Sequence, residues 1–230
     1  MARAWRDSSG KRLADYPRPS VAVDIAVLTV DAAAGALCVL EVRRPNAAGW
    51  ALPGTFLHEG ERLIDAVLRS LRVKAGVAGL RPRQLTVFDE PDRDDRGWVL
   101  SVAHFDVVTL ERLAGRYPDR TRVVPVHHPG RLPYGHGLII DAAVDALRAR
   151  YDAAPDPDHL LGPTFTLREL RIVHEIVAGR PLQRDTFRRA MEPHLTGTGR
   201  TTTPGRGRPA EMYRQRRLRF GEPGFDRTRQ

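Results

Sequence analysis

The chain is short of cysteine, of lysine and of long apolar runs, and each shortage closes off a class of explanation. Its single cysteine, Cys38, stands in the apolar stretch Ala36 to Val42, so an internal disulfide or a cysteine-based zinc site is impossible. A small buried apolar residue is the expected role. No apolar run approaches the ~18 residues needed to cross a bilayer, and the charged start from Met1 to Arg18 has no secretory apolar stretch. A cytoplasmic protein without membrane contact is expected. Of 37 basic residues only Lys11 and Lys74 are lysines, so the placement of the cations carries more information than their type. There is no phosphate-loop pattern near Thr198 to Thr203 and no internal repeat. His127, His128 and His136 lie among prolines without metal-ligand spacing, and they read as loop or capping residues.

What is present fits one large domain or two small ones: 230 residues, 41% hydrophobic and 28% charged. The charge is uneven. Residues 1–162 carry 22 basic and 21 acidic side chains, net +1, whereas residues 163–230 carry 15 and 7, net +8, together the +9 of the chain. A compact segment that gathers cations in this way suits a polyanion, most often nucleic acid. The alternative is a solvated basic tail.

Hydrophobic periodicity divides the chain at the same place. Val21 to Val30 and Leu37 to Val42 read as strands around a turn at Asp31 to Gly35, with further strands at Gln84 to Phe88 and Trp98 to Val108. Arg62 to Ala75, closed by Gly76, and Leu138 to Arg150 read as amphipathic helices. An α/β fold follows, a mixed sheet sandwiched between helices. Tyr151 to Pro163, with three prolines and three aspartates, reads as a linker. Beyond it the pattern is helical: Thr166 and Glu169 form a capping box ahead of the stripe Leu167, Leu170, Val173, Ile176 and Val177, with Gly179 as the stop. A second helix over Gln183 to Glu192 carries Phe187 and Met191 on one face, and a strand-like Glu211 to Leu218 follows the Gly/Thr/Pro-rich stretch Thr196 to Pro209. The expected organisation is an extension (1–17), a first domain (18–150), the linker (151–163), a basic second domain (164–220) and a tail (221–230).

Ala51 to Val77, ALPGTFLHEGERLIDAVLRSLRVKAGV, resembles the Nudix box G-x5-E-x7-R-E-U-x-E-E-x-G-U, where U is apolar. Thr55 stands at the opening glycine, Glu61 at the first glutamate, Arg69 at the arginine, and Gly76 with Val77 at the end. The helix glutamates of that box, spaced to hold hard divalent cations on one face, are here Ser70, Val73 and Lys74. No metal site, no required cofactor and no hydrolysis are therefore expected, although a Nudix hydrolase with an appended basic module is the rival reading. Further along, Val87 to Val108 with the P-x-R-D-x-R-G core at Pro91 to Gly97, FTLRELRIVHEIVAG at Phe165 to Gly179, FRRAM at Phe187 to Met191 and GRPAEMYR at Gly207 to Arg214 resemble the NrtR family, the Nudix-related transcriptional regulators of NAD metabolism. The resemblance covers about residues 18 to 220. It implies a Nudix-like sensor for ADP-ribose or a related NAD-derived nucleotide, followed by a winged helix-turn-helix that holds a palindromic operator as a homodimer and releases it when the effector binds. A sugar-catabolism regulator of the same architecture, or a constitutive DNA-binding protein whose first domain only dimerises, are the alternatives.

For the effector we single out Arg43, Arg44, Arg69, Arg93 and Arg96, whose guanidinium forks suit a pyrophosphate, together with Glu61 and with Trp50 and Phe56 as candidate stacking partners for adenine. The structural alternatives are an internal Glu61–Arg69 pair, ion pairs of Arg93 or Arg96 with Asp92, Asp94 or Asp95, and core roles for the aromatics. For DNA the candidates are Arg184, Thr186, Arg188 and Arg189 on the second helix, expected to enter the major groove, and Arg206 and Arg208 in the wing.

Overall fold

The computed structural model describes residues 5–45, 47–202 and 209–216. β1 (Ser20–Asp31) and β2 (Ala36–Arg43) form the expected hairpin, its turn held by the Asp31 carboxylate, which accepts the Ala33 and Ala34 amides. β1 is the spine of the sheet. Along one edge it pairs in parallel with β6 (Val99–Val107), Ser20 opposite Val99 through Leu28 opposite Val107. Along the other edge it pairs antiparallel with β4 (Gly54–Phe56) over Ala22 to Asp24, and with β2 from Leu28 onward. β2 then continues past β1 to pair with β3 (Trp50–Ala51) and β7 (Thr121–Pro125), while β5 (Arg83–Phe88) closes the far edge on β6. A cleft lies where β2 and β4 part. β3 and β4 are too short to show a period in the sequence, which is why only the longer strands are predicted.

Both faces of the sheet are covered, so β1 is apolar almost throughout and its alternation sorts residues between two cores. Val23, Ile25 and Val27 pack with Ala66 and Val67 of α1 (Leu63–Ser70) and with Leu71. Ala26 and Leu28 face Ile139, Ile140, Ala143 and Leu147 of α2 (His136–Ala153). Asp24, in register with Ala26, falls on the α2 side. α1 ends earlier than its periodicity predicts and runs into one π turn, Leu71–Ala75, stopped by Gly76 at φ 70°, a left-handed position that a residue without Cβ takes freely.

The second unit is a winged helix. β8 (Phe165–Thr166) leads into α3 (Leu167–Ala178), whose Thr166–Glu169 capping box forms in both directions and whose C-cap is Gly179. α4 (Arg184–Met191) is capped by the Gln183 side chain, and β9 (Leu195–Thr201) and β10 (Glu211–Gln215) complete a three-stranded sheet in the order β8, β10, β9. Thr196 to Thr201, within the stretch that reads in the sequence only as Gly/Thr/Pro-rich, lie in β9, where β-branched threonines alternate, and the ladder slips between Glu211 and Tyr213. Phe165, Leu170, Phe187, Met191, Leu195 and Tyr213 make the small core.

The segment expected to be a linker is packed. α2 runs on to Ala153, and Tyr151 belongs to the main core. The Asp156 carboxylate accepts the Tyr151 hydroxyl at 3.0 Å and the Leu160 and Leu161 amides at 2.8 and 2.9 Å. Asp158 holds Arg83 and Arg150, and Gln215 of β10 donates to the Pro155 and Asp156 carbonyls. Aspartates that read as solvated in the sequence are thus buried acceptors at a junction. Val173 and Val177 of α3 complete the join by entering the core beneath α2.

Candidate effector pocket and DNA-binding face

The cleft beside β1 is a cavity of about 420 Å³ walled by Asp24, by Arg43 and Arg44 at the end of β2, by Gly54 to Phe56, and by Lys74, Arg96, Tyr134 and His136. Asp24 is its buried anchor. Ser101 Oγ donates to Asp24 Oδ2 at 2.6 Å, His136 Nε2 lies 3.3 Å from Oδ1, and Arg93 Nη2 lies 3.8 Å from Oδ2. His136 Nδ1 accepts the Leu52 amide at 2.9 Å, which leaves the ring proton on Nε2, facing the carboxylate. Burial pushes the Asp24 carboxyl up, but His136, Ser101 and Arg93 outweigh it and hold the group below its ordinary value. Gly54 lies so close that a Cβ there would sit 1.8 Å from Asp24 Oδ1.

The rest of the wall is cationic and aromatic. Arg44 donates to the Tyr134 hydroxyl at 3.1 Å. Arg96 is bound by both oxygens of Asp94, at 2.8 and 2.6 Å, and its guanidinium lies 4.9 Å from the Phe56 ring centre and 4.1 Å from that of Tyr134. The Lys74 ammonium donates to the Gly54 carbonyl. Burial pushes its pKa down, Asp24 pulls it up, and Arg96 and Arg69 push it down again. Tyr134 holds a left-handed backbone, φ 57°, while its carbonyl accepts Arg93 Nη2 at 2.7 Å, a local strain that the surrounding bonds fix. Four cations therefore face a cavity whose one carboxylate already has its partners, an arrangement whose charge is complementary to an anion.

Of the residues nominated from sequence, Arg43, Arg44, Phe56 and Arg96 line this cavity, and Trp50, Glu61, Arg69 and Arg93 do not. Trp50 instead packs under the Arg122 guanidinium at 4.7 Å, and Arg122 pairs with the buried Glu41. Arg93 is spent on Asp24 and the Tyr134 carbonyl. Arg69 closes on Glu61 through two bonds of 2.7 Å and ties the loop down through Thr55 and the Phe56 carbonyl. The hydrogen bond from Arg69 brings the Glu61 carboxyl from 4.5 down to about 2. Because the folded value lies below the unfolded one, this pair stabilises the protein above pH 4.5 and its contribution fades as pH falls toward 2. Glu61→Gln is expected to lower the thermal midpoint at neutral pH, with the gap to wild type closing across that window. A gap that stays constant with pH would assign the loss to packing.

On the second unit, Arg184, Thr186, Arg188 and Arg189 are all exposed on α4, with Phe187 and Met191 turned inward. At ~100° per residue, Thr186 and Arg189 point farthest from the buried side, and Arg184 and Arg188 flank it. Arg188 pairs with Glu192 at 3.1 Å, while Arg184 and Arg189 have no ion-pair partner among the described residues. β9 and β10 pair up to Thr202, whose amide donates to the Ala210 carbonyl. Arg206 and Arg208, nominated for the wing, lie outside the described residues. Among those residues no helix is long and apolar enough to cross a membrane.

Comparison with known proteins places both units. Residues 19–134 match the NUDIX domain, and residues 157–215 match the NrtR DNA-binding winged helix domain. A curated relative, the ADPR responsive transcriptional repressor NtrR of Acinetobacter baylyi, is 30% identical over 213 residues, covering 87% of this chain and 83% of its own. The chain belongs to the NrtR family. The crystal structure of Shewanella oneidensis NrtR complexed with a 27mer DNA superposes on the NrtR-family chain with a TM-score of 0.70 at 31% identity, covering 85% of this chain and 93% of that one. The NUDIX domain of the same Shewanella protein complexed with ADP ribose matches with a TM-score of 0.51 at 25% identity, covering 60% and 95%.

Three pocket residues of this NrtR-family chain escape sequence reasoning. Asp24 is a lone charge in the apolar run VAVDIAVL, and a charge that must be buried requires partners; that signal is readable, although the partners are not. Tyr134, which nothing in the sequence singles out, and His136, read as a loop or capping residue, stand more than a hundred residues from Asp24 and share the cleft with it because α2 begins there. His136 is a buried member of the pocket, 3% exposed.

Proposed function

We propose that this chain is an ADP-ribose-responsive transcriptional repressor that binds a palindromic operator as a homodimer in the cytoplasm and captures its effector without hydrolysing it. The observation that supports this most directly is the cavity wall: Arg43, Arg44, Lys74 and Arg96 face one carboxylate, Asp24, whose oxygens already have Ser101, His136 and Arg93 as partners. A pyrophosphate fits such a wall, and a neutral pentose would leave Arg43, Arg44 and Lys74 without an ion-pair partner among the described residues, which argues against a sugar effector. Adenine could stack on Phe56 or Tyr134 in place of, or over, the Arg96 guanidinium.

The pocket and the DNA face share a structural member. α2 begins at His136 beside Asp24 and carries Tyr151 near its other end, and Tyr151 meets His174 of α3, which meets Phe187 of α4, with ring centres 4.9 and 5.0 Å apart. An effector that prefers one setting of α2 would shift the recognition helices, because a ligand moves an equilibrium only by its difference in affinity for the two states. A coupling of about 1–3 kcal/mol corresponds to a ~5- to 150-fold loss of operator affinity.

Mobility shift of the chain's own upstream duplex, with and without ADP-ribose, tests the reading: release on adding ADP-ribose is expected, and retention would leave a constitutive DNA-binding protein. ADP-ribose incubated with the protein and magnesium should stay intact, and steady turnover would restore the hydrolase. On the DNA face, Arg189→Ala is expected to weaken operator binding by about 1–3 kcal/mol, with a smaller loss on random duplex. Arg184→Ala is expected to weaken both duplexes alike and to reduce the salt slope by about one. Anisotropy titrations at several salt concentrations separate these outcomes, and equal losses from Arg189→Ala on both duplexes would assign that side chain to phosphate.

A further inference from the structure

An intact Nudix box uses its helix carboxylates to hold a divalent cation against a pyrophosphate, and the residues here do not fit that ion. Ser70 is turned into the core, 2% exposed, its hydroxyl without a partner, and Val73 is a hydrocarbon 60% exposed to solvent. Only Lys74 of the three faces the cavity, and it brings a positive charge. Asp24, the one carboxylate in the wall, spends both oxygens on His136 and Ser101. Among the described residues no three His, Cys, Asp or Glu side chains gather where a metal could sit, and a hard divalent cation asks for six or more oxygens with carboxylates among them.

We propose that the Lys74 ammonium replaces that cation: a compact positive charge, tethered to the chain, that meets the pyrophosphate of the effector so that binding requires no metal. The inference rests on the reading of the cleft as a pyrophosphate site. Lys74 reaches from the end of the Nudix helix to the Gly54 carbonyl at the cavity wall, and an ammonium has three donors, so two remain for a ligand. The surrounding charges favour an added anion, since Arg96 and Arg69 both repel the ammonium and Asp24 alone attracts it. The residue type is informative too. All but two of the 37 basic positions in the chain are arginine, yet this one is lysine, whose charge is a point on a flexible stem and so resembles an ion more than a planar guanidinium does. A tethered ammonium also cannot generate a bound hydroxide as a metal does. The same substitution that holds the diphosphate therefore removes the means of cutting it.

Titration calorimetry on the full chain tests this with two probes, ADP-ribose and inorganic pyrophosphate, each in excess EDTA and again with magnesium. Wild type is expected to bind both probes in EDTA at least as well as with magnesium. Lys74→Gln is expected to weaken both by about ten- to hundredfold, the loss that follows removal of one charge-assisted contact, Lys74→Glu by more, and Lys74→Arg by least. Lys74 is an exposed residue overall, so the ligand-free thermal midpoints of the variants should stay close to wild type and exclude misfolding as the cause. Loss of wild-type binding in EDTA, or a Lys74→Gln protein that binds pyrophosphate like wild type, would overturn the inference. Pyrophosphate binding in EDTA that depends on Lys74, with no binding of ADP-ribose, would uphold the role of Lys74 and defeat the effector assignment.

Discussion

Asp24→Ala is expected to cost about 3–5 kcal/mol of stability, the usual penalty for leaving the partners of a buried charge without it. Three groups depend on this carboxylate: the Ser101 hydroxyl at 2.6 Å, the His136 ring at 3.3 Å and the Arg93 guanidinium at 3.8 Å, whose side chain is 5% exposed. None of them can turn to water. For a chain of this size ~1 kcal/mol moves the midpoint by about 2–4 °C, so a fall of about 6–20 °C is expected by calorimetry or dichroism. Asp24→Asn, which keeps the shape and one acceptor oxygen, should fall between. Because His136 also starts α2 and Tyr134 stands beside it, Asp24→Ala should also abolish the rise in melting temperature that the proposed effector role predicts for wild type with ADP-ribose. A variant that melts like wild type would mean that Asp24 does not hold the pocket together.

The second large effect concerns acidity. His174 lies between Tyr151 of α2 and Phe187 of α4, 4% exposed, its Nε2 without a hydrogen-bond partner. Burial pushes its pKa from 6.5 down to about 4, against the pull of Asp152 one residue beyond Tyr151. The unfolded imidazole takes its proton near 6.5 and the folded one only near 4, so the contribution of His174 to stability is constant above pH 6.5 and declines as the pH falls between those values. The full decline is ~3 kcal/mol, at 1.36 kcal/mol per pKa unit. His174→Phe keeps a ring between its two aromatic neighbours, has nothing to protonate and removes the orphaned nitrogen. Its midpoint should fall much less than that of wild type on going from neutral to mildly acidic buffer. Parallel declines for the two proteins would place the acid sensitivity elsewhere.

Local chemistry made much of this molecule readable before any coordinates. The β1–β2 turn, the Thr166–Glu169 cap, Gly76 and Gly179 as helix stops, and the Phe187–Met191 face of α4 all depend on neighbours within a few residues. Arg43, Arg44, Phe56 and Arg96 in the pocket were readable for a similar reason, since strand ends and a recognisable box place them. What was not readable involves choices between distant partners. Whether Arg69 turns to a ligand or to Glu61, and whether Trp50 stacks on a base or on Arg122, depends on tertiary distances that no spacing encodes. The segment from Tyr151 to Pro163 was misread because its prolines and aspartates resemble solvated linker, and only the folded chain shows the amides, the tyrosine hydroxyl and the arginines that those carboxylates serve.

The uninterrupted run of α2 from His136 to Ala153 has an evolutionary corollary. One residue inserted or deleted within it would swing everything downstream by ~100° and slide it by ~1.5 Å, turning Tyr151 away from its aromatic neighbour however conservative the change. Descendants of this protein are therefore free to vary the side chains along that helix far more than the number of residues in it.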